Sequence, residues 1–138
     1  MTNPKDLVGR FKALISPVPA PVLFEVGVAL LEGALKYGRH NYRVTPVKAS
    51  IYYDATSSHL TAWWEGEDID PDSDLSHVTK AIASLVVLRD AMIQNKYVDD
   101  RPPKTITSWL PELNKLVAKL HEKYPNPVKP HTEIEIIE

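Results

Sequence analysis

LSHVTKAIASLVVLRDAMIQ, residues 75–94, decides the fold class. Leu75, Val78, Ile82, Leu85, Leu88 and Met92 recur at the helical period, so one face of this segment is a continuous apolar stripe and the segment is expected to be the most buried helix. Upstream of it, Asp70-Pro71-Asp72-Ser73 is a turn-forming cluster, and Gly66 is placed to stop a preceding helix. That preceding helix is expected to start at Thr45-Pro46, an N-cap residue followed by proline in the first helical position. Further back, Val22, Val26, Leu30 and Ala34 keep helical period up to Tyr37, and Gly38 suits a C-terminal cap. Pro4 to Ile15 reads as a short, mildly amphipathic helix, joined on by the extended connector at Pro17, Pro19 and Pro21.

Downstream, Asp99-Asp100-Arg101-Pro102-Pro103 reads as a loop, and Trp109 to Lys123 as a last helix with Leu113, Leu116, Val117 and Leu120 facing inward. The tail, 125–138, is proline-rich and then alternates from Thr132 to Ile136, which suits an edge strand or a disordered end. The expectation is therefore an all-α fold, a bundle of four to five helices in a single domain spanning 1–138, with its helical core at about 22–124.

The composition narrows the function classes. At 138 residues the chain is long enough for one core, and its 43% apolar and 25% charged fractions are those of a globular protein. No apolar run approaches the roughly 18 residues of a membrane span, and no secretory signal pattern opens the chain. The absence of cysteine removes disulfides, thiolate nucleophiles and zinc-thiolate sites. A cytoplasmic location is the expectation. The net charge of −2 weighs against nonspecific nucleic-acid binding. A basic row at Lys115, Lys119 and Lys123 is better read as a solvated helix face than as a duplex-binding surface.

The chemistry concentrates between His59 and His77. Glu65, Glu67, Asp68, Asp70 and Asp72 crowd negative charge into one turn, which a divalent cation would relieve. The EF-hand spacing is missing, and Asp72, Ser73 and Asp74 also suit capping of the helix near Leu75. His59 and Trp63 share one helix face, and His77 sits in the first turn of the next helix, above Ala81 and Ser84. Small residues there let two helices approach, so His59, Glu67, Asp70 and His77 are candidates to converge. Glu32 and Lys36 have the spacing of a surface ion pair. The loop KYGRHNYR, 36–43, combines Lys36, Arg39 and Arg43 with Tyr37, His40, Asn41 and Tyr42, groups suited to phosphate contacts and base stacking. There is no P-loop, no Rossmann glycine pattern and no G-x-S-x-G elbow.

KYGRHNYR, followed by HLTAWWEGEDIDPDS and then His77, resembles the dATP/dGTP diphosphohydrolase family of bacteriophage and prophage proteins, over roughly residues 22–95. Ser58, Asp74 and Lys80 depart from the pattern, standing where arginine, glycine and histidine are common. The resemblance implies an all-α bundle of the MazG-like nucleotide pyrophosphohydrolase kind, assembled as a homo-oligomer, dimer or tetramer. It implies hydrolysis of a purine deoxynucleoside triphosphate, dATP or dGTP, to the monophosphate and pyrophosphate, in the bacterial host cytoplasm if the chain is phage-encoded. It implies Mg2+ or Mn2+ on Glu67 and Asp70, with Asp68 or Glu32, and catalytic roles for Glu67, Asp70, His59 and His77. Lys36, Tyr37, Arg39, Asn41, Arg43 and Trp63 are the expected substrate contacts. A chain that kept the bundle but lost turnover would instead be a noncatalytic nucleotide- or protein-binding module.

Overall fold

A computed structural model describes residues 1–134. The fold is all-α, with five α-helices and two pairs of two-residue strands among the described residues. The chain divides into two compact units, Met1–Arg101 and Pro102–Glu138.

In the first unit, α1 (Pro4–Gly9) starts with Asn3 accepting from the Lys5 amide at 2.9 Å and proline in the first turn. It stops well before Ile15. None of its residues is buried, so no packing rewards further turns. Helix α2 (Ala20–Tyr37) ends at Gly38, whose φ of 95° is open to glycine and disfavoured for other residues.

The third helix begins later than Thr45-Pro46 suggests. Pro46 leads instead into β1 (Val47–Lys48), which pairs in parallel with β4 (Tyr97–Val98), and α3 runs Ala49–Trp64. Its N-cap, Lys48, has no side chain able to accept from the exposed amides. The cap comes from elsewhere in the chain: the parallel register Lys48↔Val98, continued two residues on, sets Asp100 opposite Ser50. Asp100 accepts from the Ser50 amide at 2.8 Å and from the Ser50 hydroxyl. Gly66, with φ 107°, follows the end of α3 as expected.

Leu75 and Ser76 likewise precede the fourth helix, as β3 (Leu75–Ser76) pairing antiparallel with β2 (Ile69–Asp70). Helix α4 (His77–Ile93) is capped by the Ser76 hydroxyl, which accepts from the Thr79 amide at 3.4 Å, and not by the acids before it. Its buried face also differs from the apolar stripe. His77, Thr79, Ala81, Ala83, Val87 and Ala91 are buried, while Leu85 is 49% exposed. The reason is that α4 packs against both α2 and α3. Small residues occupy the close approaches, and larger ones are displaced to the flanks. Val26, Ala29 and Ala83 form one core cluster, and Val47, Val87 and Ala91 another, with Leu30 packed against both.

The second unit carries α5 (Trp109–Lys123), within the bounds expected. Leu113, Leu116, Val117 and Leu120 are not turned into a core, since each is about half exposed or more. Lys115 pairs with Glu112 at 3.0 Å, and Lys123 lies over the Tyr124 ring. Of the alternating tail, no strand is formed at 132–134, and residues 135–138 lie outside the described residues. Among the described residues, no helix is long and apolar enough to cross a membrane.

The Ser50 bonds hold the Asp100 carboxyl below its ordinary pKa. A carboxyl depressed in the folded state stabilises the fold above its unfolded pKa, and that contribution is lost as pH falls through the folded value. Asp100→Asn is therefore expected to lower the melting temperature at neutral pH and to reduce its fall on acidification. The check is thermal unfolding of both chains between neutral and strongly acid pH, and parallel curves would rule the cap out.

Candidate functional site

Three elements carry the histidine and acid groups. His59 lies on the last turns of α3, Glu67 and Asp70 lie on the connection through β2, and His77 is the first residue of α4. The local chain fixes them tightly. The His77 amide donates to the Asp68 carbonyl at 2.9 Å, and the Ile69↔Ser76 pairing closes the hairpin that brings the acidic turn back to α4. Within that turn, Asp70 Oδ1 accepts from the Asp72 amide at 3.0 Å, which orients its carboxylate.

The side chains then meet. Nδ1 of His59 and Nδ1 of His77 are 2.9 Å apart, and Asp70 Oδ2 is 4.0 Å from Nδ1 of His59. On its other side, the His77 ring reaches Glu67, with Nε2 at 2.6 Å from Oε1. His59, Asp70 and His77 can each offer a ligand atom within 4.8 Å of the others, so this group could hold a metal ion. Burial pushes the His59 pKa down, against the opposing pull of Asp70. Its ring therefore favours the neutral form, which has a lone pair to offer.

A cavity of about 480 Å³ lies between the end of α2, the loop after it and the facing sides of α3 and α4. Lys36, Tyr37, Arg39 and Asn41 line it, as does Glu32. His40 and Tyr42 of the same loop line it too, as do Tyr52, Lys80 and Ser84, which the sequence did not mark for substrate. The signal for Lys80 and Ser84 was present in their spacing of three and seven from His77 along one helix face.

Arg43 and Trp63 are not among the described residues that line this cavity. Arg43 makes a two-pronged pair with Asp90 of α4, at 2.8 and 3.0 Å, which ties the loop down. Trp63 is exposed beside Trp64 on α3.

The cavity and the histidine cluster are joined by Glu32 and Lys80. Glu32 accepts from Lys36 at 2.9 Å and from Lys80 at 3.0 Å, and these bonds, that to Lys36 first, hold its pKa below the usual carboxylate value. Both Lys80 and Glu32 also act electrostatically on His59. Such an arrangement can bind a polyanion at the cavity and keep it beside a cation site.

An all-α unit with a cation-lined cavity beside a His/His/Asp cluster is thus defined by geometry alone. The chain belongs to the dATP/dGTP diphosphohydrolase family, whose N-terminal domain matches residues 2–101. That span coincides with the first compact unit, which holds both cavity and cluster. Comparison with curated proteins and with solved structures gave no match.

Among the described residues the buried Thr56 hydroxyl, on α3 between Tyr52 of the cavity and His59 of the cluster, has no hydrogen-bond partner. An orphaned buried hydroxyl costs roughly 1–3 kcal/mol. Thr56→Val, which keeps the branched shape, is expected to stabilise the fold by about 1 kcal/mol and raise the melting temperature by a few degrees. Denaturant titration checks this, and a loss of stability would mean the hydroxyl has a partner in solution.

Proposed function

We propose that the chain hydrolyses purine deoxynucleoside triphosphates, dATP or dGTP, between the α and β phosphates, releasing the monophosphate and pyrophosphate. The observation that carries this reading is the Glu32–Lys80 contact, which sets the cations of the cavity beside the His/His/Asp cluster. Family membership supplies the nucleotide.

The reaction depends on a divalent cation, magnesium or manganese. Asp70 offers an oxygen that either ion accepts, while the imidazoles of His59 and His77 are donors that manganese accepts more readily than magnesium. When bound, such an ion supplies Lewis-acid stabilisation of phosphate charge and a more acidic water. The rest falls to the side chains. Lys36, Arg39 and Lys80 offset charge on the phosphate chain, and entering phosphates compete with Glu32 for two ammonium groups already held at the cavity. Tyr37, Tyr42 and Tyr52 offer ring faces to the base, and Asn41 offers an amide to base or sugar.

The same reading includes assembly of the chain with itself. Helix α2 leaves Leu23, Phe24, Val28, Leu31 and Leu35 exposed, Phe24 at 75% and Leu35 at 79%, an apolar face that favours burial against another copy. Light scattering at micromolar concentration is expected to give at least a dimer, and a well-behaved monomer would remove this part of the proposal.

The test of activity is a screen of all deoxynucleoside triphosphates with Mg2+ or Mn2+, resolving the products. Monophosphate and pyrophosphate are expected. Diphosphate and phosphate would refute the bond assignment, and tight nucleotide binding with no turnover would support the noncatalytic module. Asp70→Asn is expected to abolish turnover. Lys36→Ala and Lys80→Ala should each lower kcat/KM by about tenfold or more, since each removes a charge-assisted bond to phosphate. Melting temperature should barely move for Lys36→Ala, because its pair with Glu32 is exposed.

A further inference from the structure

We propose that His59, Asp70 and His77 hold one first-row transition-metal ion, of the manganese-to-zinc class and in preference to magnesium, and that Glu67 acts on it indirectly as the carboxylate that orients His77. This rests on the reading of the cluster as the metal centre of the hydrolase, and it specifies both the ion and the division of labour among the acids.

The key residue is His77. Its ring is buried, and its Nε2 lies 2.6 Å from Glu67 Oε1, a short distance for an N–H donating to a carboxylate. In the neutral ring, a proton on Nε2 leaves the Nδ1 lone pair free, and that atom is the one facing His59 at 2.9 Å. A carboxylate that accepts from the far nitrogen of an imidazole is the usual outer partner of a metal-bound histidine, fixing its tautomer and making it more basic. Glu67 is half exposed, so it is supplied from the solvent side of a ring whose other nitrogen points inward.

The spacing agrees. Two ligand nitrogens each about 2.1 Å from an ion and at right angles to one another lie about 3 Å apart, so the histidine nitrogens already have the separation of adjacent ligands. Asp70 is the third donor, at 4.0 Å from His59 and held by the Asp72 amide through its other oxygen. The donor set also selects the ion. Two imidazoles and one carboxylate suit manganese, iron, cobalt or zinc, whereas magnesium prefers oxygen ligands and gives up its waters reluctantly. The alternative is that the two rings simply share a hydrogen bond, His59 Nδ1–H donating to His77, with no ion between them.

The test uses the full chain, stripped with chelator and free of nucleotide, titrated calorimetrically with Mn2+, Co2+ and Mg2+. One Mn2+ or Co2+ per chain is expected, with Mg2+ at least about 100-fold weaker. Glu67→Gln should keep that stoichiometry, weaken Mn2+ by about 10- to 100-fold and alter the visible spectrum of bound Co2+. Asp70→Asn and His59→Ala should remove binding, with helical content by circular dichroism unchanged. His59 sits on a formed helix, so it carries the test even if substitution of His77 prevents folding. Mg2+ binding within tenfold of Mn2+, loss of all binding in Glu67→Gln, or no ion bound by the parent chain would each overturn the proposal. Metal binding as expected without nucleotide turnover would leave it standing and remove only the hydrolase reading.

Discussion

The close approach of α4 to both α2 and α3 is the constraint on which the rest of the first unit depends. Ala81, Ala83 and Ala91 are the residues that permit it, and Ala91 is fully buried. Helices separated by alanines bring their backbones near enough for short polar side chains to span the gap. Thr79 donates to Glu25 of α2 at 2.9 Å, Lys80 reaches Glu32, and His77 reaches His59 of α3. A larger residue at any of these alanines would separate the helices and break several polar contacts at once, in addition to the ordinary cost of overpacking. The same closeness explains why the large apolar residues of α4 lie at its flanks.

Electrostatics then divides the site into two parts with different needs. The cavity gathers cations around one carboxylate, Glu32, which holds Lys36 and Lys80 in place and would be displaced from them by a stronger anion. The cluster gathers Asp70 and two imidazoles around a space suited to a cation. A triphosphate with its counterion, the substrate proposed above, carries both charges and would meet a complementary environment in each part. Placing Lys80 between them allows one residue to influence both.

Where a signal was local, the sequence was a good guide. Gly38 and Gly66 end their helices because the chain turns through a positive φ at each, and Trp109 to Lys123 forms the helix expected, though its apolar face is not turned into a core. His59, Glu67, Asp70 and His77 are the residues the sequence offers as candidates to converge, and their side chains do come together. What stayed hidden was non-local. The capping of α3 by Asp100 depends on a parallel two-strand pairing between segments fifty residues apart, and no pattern within either segment announces it. Arg43 was grouped with its neighbours in a cationic loop, but its partner Asp90 lies 47 residues away. Lys80 departs from the motif, and although its spacing from His77 gives the helix face, its place on the cavity needs the packing of α4 against α2.

The joint placement of metal and nucleotide is tested by diffraction from crystals of the full chain grown with Mn2+ and a dATP analogue whose α–β bridge cannot be hydrolysed, recorded at the manganese absorption edge. One anomalous peak is expected within bonding distance of His59, Asp70 and His77, with the phosphate chain running from that peak toward Lys80 and Lys36. A peak on Glu67 and Asp68 with both imidazoles unliganded, or a nucleotide bound away from the cavity, would contradict it.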